Sequence, residues 1–443
     1  VHTCTWLAAN LKDLYNAYMR PFWQERVHEK ETWNEIDNIP DEELWKAHLE
    51  QKRKLIQVVR ENIKAQKIRN GDSTEEIAET DNLLNPEALT IGFARRFATY
   101  KRADLIFKDL ERITQILSNS ARPVQIIFAG KPHPADVQGQ DLVREIYNIS
   151  KMPQFKNKVV ILENYNMYIA RYLISGVDIW LNNPRRPLEA SGTSGEKAGL
   201  NGVVNFSILD GWWFEGFEKG KNGFAIGDDT EYTNYELQDL ADSKSIYNTL
   251  ENEIMPLYYN KNGLEYSKDW VTMMKNSIKS VGGNYNTARM LCDYLEKLYI
   301  PQINEIRGKY SDSSTVEEFY NWKLNLKNHW NEVSITSSQI QNDITLKAGE
   351  PLDLTCVVNL GTIPNSSVDV EVFFGKFQNG EKLINSLFKK MELSNDLGNG
   401  SYEFKTQVNI DNGGNFGYTF RVLPKNDMII NQHDISLEKW IEN

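Results

Sequence analysis

From Leu89 onward the chain alternates short apolar runs with amphipathic stretches, and that alternation restricts the fold more than any other feature. Apolar runs of strand length separated by helical patterns mark βαβ units, whose strands lie parallel in one sheet covered by helices. The expected strands are Leu89–Ala94, Val124–Ala129, Val159–Glu163, Val177–Leu181 and Val203–Ile208. Helices are expected between them at about Lys101–Ser118, Ala135–Asn148, Met167–Ser175 and Gly195–Asn201. Open sheets of this kind bind ligands outside the carboxyl ends of their strands, so the segments that follow the strands are where chemistry belongs.

The flanks read differently. Residues 1–80 are charged and helix-prone, and Pro40 followed by Asp41, Glu42 and Glu43 is a typical helix start. Residues 81–310 make the Rossmann-like domain with a helical tail, and 311–333 a helical linker. Residues 334–443 alternate apolar and polar side chains in short runs (DITLKAG, LDLTCVVNL, VDVEVFFGKF, SYEFKTQVNI, FGYTFRVLP), which predicts an all-β sandwich of immunoglobulin-like type. The titratable candidate in that last segment, His433, has no companion. The predicted fold class is therefore α/β with an appended β-sandwich.

At 443 residues the chain is about three times the usual single-domain length, so two or three cores are expected. A net charge of −11 argues against a nucleic-acid partner, because a phosphate backbone needs a basic face. No apolar run is long enough to span a bilayer, and no membrane role is expected. Three widely spaced cysteines (Cys4, Cys292, Cys356) suggest neither a disulfide framework nor a metal cluster, which points to the cytoplasm. The sequence opens on Val1 rather than Met, which suggests a piece of a longer protein.

Two segments after the expected strands carry chemistry. In LEASGTSGEKAGLNG (188–202), Gly192, Thr193, Ser194 and Gly195 stand at a strand-to-helix junction, where backbone N–H groups and the helix dipole form an anion pocket. FARRFATYKRADL places Arg95, Arg96, Lys101 and Arg102 within eight residues at the end of the first strand, and both segments should converge on one crevice.

RRFATYKR resembles the phosphate-binding stretch of bacterial alpha-glucan phosphorylases. FAGKPHPAD, ILENYNMYIA, EASGTSGEKAGLNG and LDGWWFEGF are similar to further signatures of that family, in family order, and VHTCTW is similar to the segment just past the middle of those enzymes. The resemblance is to the C-terminal half of such an enzyme, the second domain of the GT-B architecture. It implies pyridoxal 5′-phosphate on Lys197, with Thr193, Ser194, Gly195, Arg95 and Tyr165 around the cofactor. It further implies that Arg96 and Lys101 grip the substrate phosphate, that Glu189, Ala190, Ser191 and Gly192 meet glucosyl hydroxyls, and that Tyr100 lines the pocket. The implied partners are α-1,4-glucan, inorganic phosphate, glucose 1-phosphate and the missing N-terminal domain, in cis or in trans, and a homodimer is left open. One departure is Glu196, where the family usually has an apolar residue.

Two rivals remain. A retaining nucleotide-sugar glycosyltransferase of glycogen-synthase type would pair Glu189 with a second carboxylate where Lys197 stands, and a lysine cannot replace it. A non-catalytic glucan-binding fragment would instead use Trp212, Trp213 and the β domain as a carbohydrate platform, although those two rings are expected to be buried.

Overall fold

The computed structural model describes residues 1–338, 349–378, 382–410 and 413–441. Its contacts divide the chain into two compact units, Val1–Tyr294 and Leu295–Asn443.

The first unit is built on six parallel strands: β1 (Leu89–Ala94), β2 (Val124–Ala129), β3 (Val159–Leu162), β4 (Ile179–Asn182), β5 (Val204–Ile208) and β6 (Gly223–Ile226). Every residue of β1 to β5 is buried, as strands covered on both faces require. Their order is β3-β2-β1-β4-β5-β6. The chain winds outward from β1 in one direction and then crosses to β4 to wind in the other, so β1 and β4 flank the switch point of a doubly wound sheet. β1 pairs with β2 in register from Leu89 with Val124 to Ala94 with Ala129, and Ile91 and Gly92 face Ile179 and Trp180 of β4.

β1 and β2 have the expected bounds, and β3, β4 and β5 lie within two residues of theirs. β6 was not expected. The helices Val137–Lys151, Met167–Gly176 and Thr193–Leu200 occupy the expected places, but the helix expected over Lys101–Ser118 is broken. It consists of two 3-10 turns, Thr99–Lys101 and Leu105–Phe107, ahead of an α-helix at Leu110–Leu117. The cause is Arg102, which adopts a left-handed backbone with φ 52°. Its buried guanidinium donates to the carbonyls of Asn183 (3.0 Å) and Pro184 (2.8 Å) and pairs with Asp239 (2.9 Å) and Asp242 (2.8 Å). Arg102 therefore anchors the turn after β4 and is no part of a cationic crevice.

The opening helical segment belongs to the same core. Tyr15, Trp23 and Trp33 stack edge to face, and Trp33 lies against Gly282 of the helix Lys268–Asn284, where any Cβ would clash. The long helix Asp41–Asn70 begins with an acidic first turn after Pro40 and stops at Gly71, φ 76°. Among the described residues no helix is long and apolar enough to cross a membrane.

The second unit begins with the helices Ile300–Lys309 and Ser313–His329. Among the described residues eight strands follow: β7 (Ser334–Ser338), β8 (Pro351–Asn359), β9 (Val368–Gln378), β10 (Lys382–Lys390), β11 (Glu392–Gly398), β12 (Ser401–Asn409), β13 (Phe416–Pro424) and β14 (Lys439–Trp440). They form two antiparallel sheets, β10-β9-β13-β14 and β11-β12-β8-β7. Leu354, Cys356, Val358 and Phe404 of one sheet share a core with Val370, Val372, Phe420 and Val422 of the other. The strand expected in 343–348 lies outside the described residues, as does the side chain of His433.

Candidate active site

Two segments meet at the carboxyl ends of β1 and β4, the switch point of the sheet. Arg95 and Arg96 directly follow β1, and Arg95 N–H stays tied to the end of β2 through the Ala129 carbonyl (3.2 Å). The loop after β4 carries Glu189, whose own N–H donates to Asp210 Oδ2 at 2.9 Å, while Trp212 N–H donates to the Ser191 carbonyl at 3.0 Å. The loop after β4 is thus strapped to the loop after β5.

Across this junction Arg95 Nη2 donates to Glu189 Oε2 at 2.6 Å, and Lys101 Nζ donates to the same oxygen. All three side chains are about nine-tenths buried, with 9, 8 and 10 % exposure for Arg95, Lys101 and Glu189. Burial alone would raise the Glu189 carboxyl, but the Arg95 and Lys101 charges outweigh it and hold Glu189 below the usual carboxylate range. Arg95 still has hydrogen-bonding capacity: its Nε and Nη1 are buried without a partner among the described residues. Buried donors of a charged group are costly to leave unpaired. The Lys101 ammonium also lies 4.5 Å from the centre of the Tyr100 ring.

Next to this clamp the helix Thr193–Leu200 starts at Gly192, whose φ of 92° suits glycine. No side chain caps it, so its first N–H groups carry the positive end of the dipole uncovered. The sequence explains why the helix can sit so deep. Cβ atoms on Gly195 and Gly199, four residues apart on one face, would come within 2.5 Å of Asn205 Oδ1 and 2.6 Å of Val281 Cγ2. Lys197 lies between these glycines, half-buried, with its ammonium 4.2 Å from the centre of the Trp6 ring. Burial lowers the Lys197 amine below the ordinary lysine value, against an upward pull from Glu196. Glu196 is buried and its carboxylate faces the Val1 amine at 3.7 Å.

The structure brings Arg95, Tyr100, Lys101 and Glu189 into one cluster. Arg96 is exposed, and its side chain makes no hydrogen bond or ion pair among the described residues. Ala190 and Ser191 are exposed on the loop and Thr193 at the helix start, whereas Ser194 accepts a hydrogen bond from Trp180 Nε1 (3.2 Å). Tyr165 packs against a core cluster that includes Leu173, and burial raises its phenol. Trp212 and Trp213 are buried. Sequence reasoning missed Asp210, which fixes Glu189, and Trp6, the neighbour of Lys197. Asp210 had a local signal, since it directly precedes the Gly211 turn at the carboxyl end of β5, whereas Trp6 lies far from Lys197 in the chain.

The chain is similar to known proteins along most of its length. A family model described as carbohydrate phosphorylase matches residues 28–325, and one described as glycogen phosphorylase C-terminal domain matches residues 330–442. The chain is 41% identical over 444 residues to the maltodextrin phosphorylase of Thermococcus litoralis, covering 99% of this chain and 51% of that protein. It is 44% identical over 308 residues to the glycogen phosphorylase of Aquifex aeolicus, covering 69% and 44% of the two. It is 31% identical over 442 residues to that of Mycobacterium bovis, covering 99% and 50%. The chain thus spans about half the length of the curated relatives it matches, and by the extent of these matches it belongs to the carbohydrate phosphorylase family.

Proposed function

We propose that the chain holds pyridoxal 5′-phosphate on Lys197 and forms one wall of a crevice in which inorganic phosphate cleaves α-1,4-glucan to glucose 1-phosphate. The observation that carries this reading is the buried Arg95 guanidinium, with two unpartnered N–H-bearing nitrogens, at the switch point beside an uncapped helix start. Those groups fit a phosphate, and a half-buried lysine with a depressed amine fits an aldehyde partner. Thr193, Ser194, Gly195 and Arg95 would hold the cofactor's phosphate end, with Tyr165 at the side.

When bound, the cofactor would supply a phosphate group able to donate and accept a proton, held at its phosphate end by Thr193, Ser194, Gly195 and Arg95. The protein's own groups do the rest. Two phosphates in contact repel strongly unless cations surround them, and Arg95, Arg96 and Lys101 supply that charge. Glu189 holds Lys101 in place in the absence of an anion. An arriving phosphate takes over Lys101, and the Glu189 carboxylate is released toward a glucosyl hydroxyl, beside Ala190, Ser191 and Gly192. Tyr100 lines the same pocket.

One wall does not exclude water or orient the sugar, and loss of orientation costs orders of magnitude in rate. The reading therefore makes this sheet the second domain of a GT-B pair whose other half acts in cis or in trans. The test uses the purified chain. It should show a pyridoxal chromophore that borohydride fixes to Lys197, and negligible glucose 1-phosphate from maltodextrin until the complementary half is added. Label on another lysine overturns the cofactor site. Rapid phosphorolysis by the chain alone overturns the division of labour.

A further inference from the structure

The β-sandwich unit carries a feature that phosphorolysis does not use. Along β9 the residues Val368, Val370 and Val372 face the core, so Glu371, Phe373 and Phe377 belong to the opposite, outer face of the sheet. Across that face the strands are in register: Phe388 of β10 lies opposite Phe373, Arg421 of β13 opposite Glu371, and Trp440 of β14 opposite Arg421. The Arg421 guanidinium sits 5.6 Å from the Phe373 ring centre, 5.7 Å from Phe388 and 5.4 Å from Trp440. None of these three rings is part of the sandwich core.

Two further facts separate this cluster from ordinary surface packing. Arg421 donates through Nε and Nη2 to a single oxygen, Glu371 Oε2, at 3.0 and 2.8 Å. The other oxygen, Oε1, is buried without a partner among the described residues, in a side chain with 0 % exposure. Around this polar centre the aromatic surface is open: Phe388 is 57 % and Phe377 42 % exposed. The Phe377 ring lies over Gly417, where a Cβ would come within 2.0 Å of it, so the glycine lets the ring lie down on the sheet. Phe373 and Phe377 are four residues apart on one strand, roughly 13 Å at strand rise.

We propose that this outer face is a second carbohydrate site, which takes several consecutive glucose units of an α-1,4-glucan. The chemistry selects the ligand. A pyranose presents C–H groups on its faces, which meet the negative face of an aromatic ring, and hydroxyls on its rim, which accept hydrogen bonds from the Arg421 guanidinium that the buried Glu371 carboxylate holds in place. A strip of this length fits an oligosaccharide better than a single sugar. That the sugar is an α-glucan rests on the phosphorylase reading of the first unit. On that reading the benefit is one of effective concentration: a chain tethered at one site is held near the other.

The test is affinity electrophoresis of the full chain in gels containing amylopectin, with cofactor content read in parallel from absorbance. Retardation is expected, relieved by maltoheptaose and not by a β-linked glucan of similar length. Phe388→Ala and Phe377→Ala, both exposed and so expected to fold, should each weaken retention at least fivefold, and Phe388→Tyr should restore it. Cofactor uptake should not change in any of them. A wild-type chain that is not retarded, or ring variants retained as well as wild type, overturns the proposal. A cofactor-loaded chain without retention leaves the crevice reading standing and removes this one. A chain retained through its rings but unable to take up cofactor does the reverse.

Discussion

The sheet of the first unit has an ion cluster at each end, and the two differ in how completely they are satisfied. At the amino ends of the strands Asp178, 0 % exposed, accepts from His48 Nε2 (2.8 Å), Lys52 Nζ (2.6 Å) and the Thr90 N–H (2.7 Å). Lys52 also donates to the Ala88 carbonyl (2.6 Å) and to Tyr258 Oη (3.1 Å). At the carboxyl ends Arg95 and Lys101 share one oxygen of Glu189, and two Arg95 nitrogens have no partner among the described residues. At the amino ends one ring nitrogen, His48 Nδ1, is also buried without a partner among the described residues, but both Asp178 oxygens and the Lys52 ammonium are engaged, and a network satisfied in its charges locks elements together. A buried cation with donors left over is a poorer lock, and on the proposed reading a bound phosphate would engage those donors. On that reading the difference separates a structural cluster from a ligand site although both use the same residue types.

Lys197→Ala should abolish covalent cofactor uptake while leaving stability within about 0.5 kcal/mol of wild type, because a half-buried side chain held by one ring contact contributes little to folding. Peptide mapping after borohydride reduction and urea denaturation give the two readouts. Residual labelled peptide in the variant would remove Lys197 from the site.

Asp178→Asn should behave in the opposite sense. It leaves Lys52 buried without its counter-ion, a change worth about 3 to 5 kcal/mol of stability, with cofactor uptake in the folded fraction unchanged. Burial alone would raise the Asp178 carboxyl, but Lys52 and His48 outweigh it and hold it below the usual carboxylate range. Its contribution to stability is therefore full above that range and is lost only as pH falls through the depressed value. Acid titration of unfolding should show this limb in wild type and lose it in the variant. A variant as stable as wild type would mean that the amino-end cluster is no lock.

Glu189→Gln sharpens the comparison at the other end. The amide keeps the geometry but removes the charge that occupies Arg95 and Lys101, so inorganic phosphate should bind roughly tenfold more tightly, about 1.4 kcal/mol. Phosphorolysis by the completed enzyme should fall nonetheless, because the group released toward the sugar is no longer a carboxylate. Calorimetry and turnover should move in opposite directions, and a fall in both would place Glu189 on the anion's side.

The difference between the two ends was only partly legible in the sequence. The strands were, because β1 to β5 are mainly apolar runs bounded by turn residues, interrupted only by single polar residues such as Gln125, Asn205 and Ser207, as strands buried on both faces tend to be. β6 escaped because, unlike the equally short β3 and β4, it opens with a glycine. The crevice residues were legible because the loops that follow parallel strands are local features: Arg95 follows β1 and the Gly192 turn follows β4. The amino-end cluster was not. His48 and Lys52 lie one turn apart on a charged helix and read as a solvent-facing stripe, while their partner Asp178 is 126 residues beyond Lys52. Arg102 failed in the same way, for it looks like one more cation of the crevice until Asp239 and Asp242 are brought to it. Buried ion pairs between distant segments leave no periodic trace.

The smallest expected effect concerns how Glu196 tunes its neighbour. Condensation with an aldehyde needs the neutral amine, and burial already depresses Lys197 while Glu196 pulls it up. The rate of cofactor uptake, followed by absorbance from about pH 6 to 11, should therefore level off below the ordinary lysine value of about 10.4. Glu196→Gln removes the upward pull, so its plateau should begin at a lower pH than in wild type. Linkage fixes the companion sign: a lysine depressed in the folded state releases its proton there first, so stability rises with pH between the folded and the unfolded value. The variant should widen that window slightly. Coincident uptake curves would mean that the Glu196 charge is screened before it reaches Lys197. A plateau at the ordinary lysine value in both proteins would mean that the Trp6 side of the helix admits water freely, and the crevice would then resemble a solvated surface more than the dry amino end with which it has been contrasted.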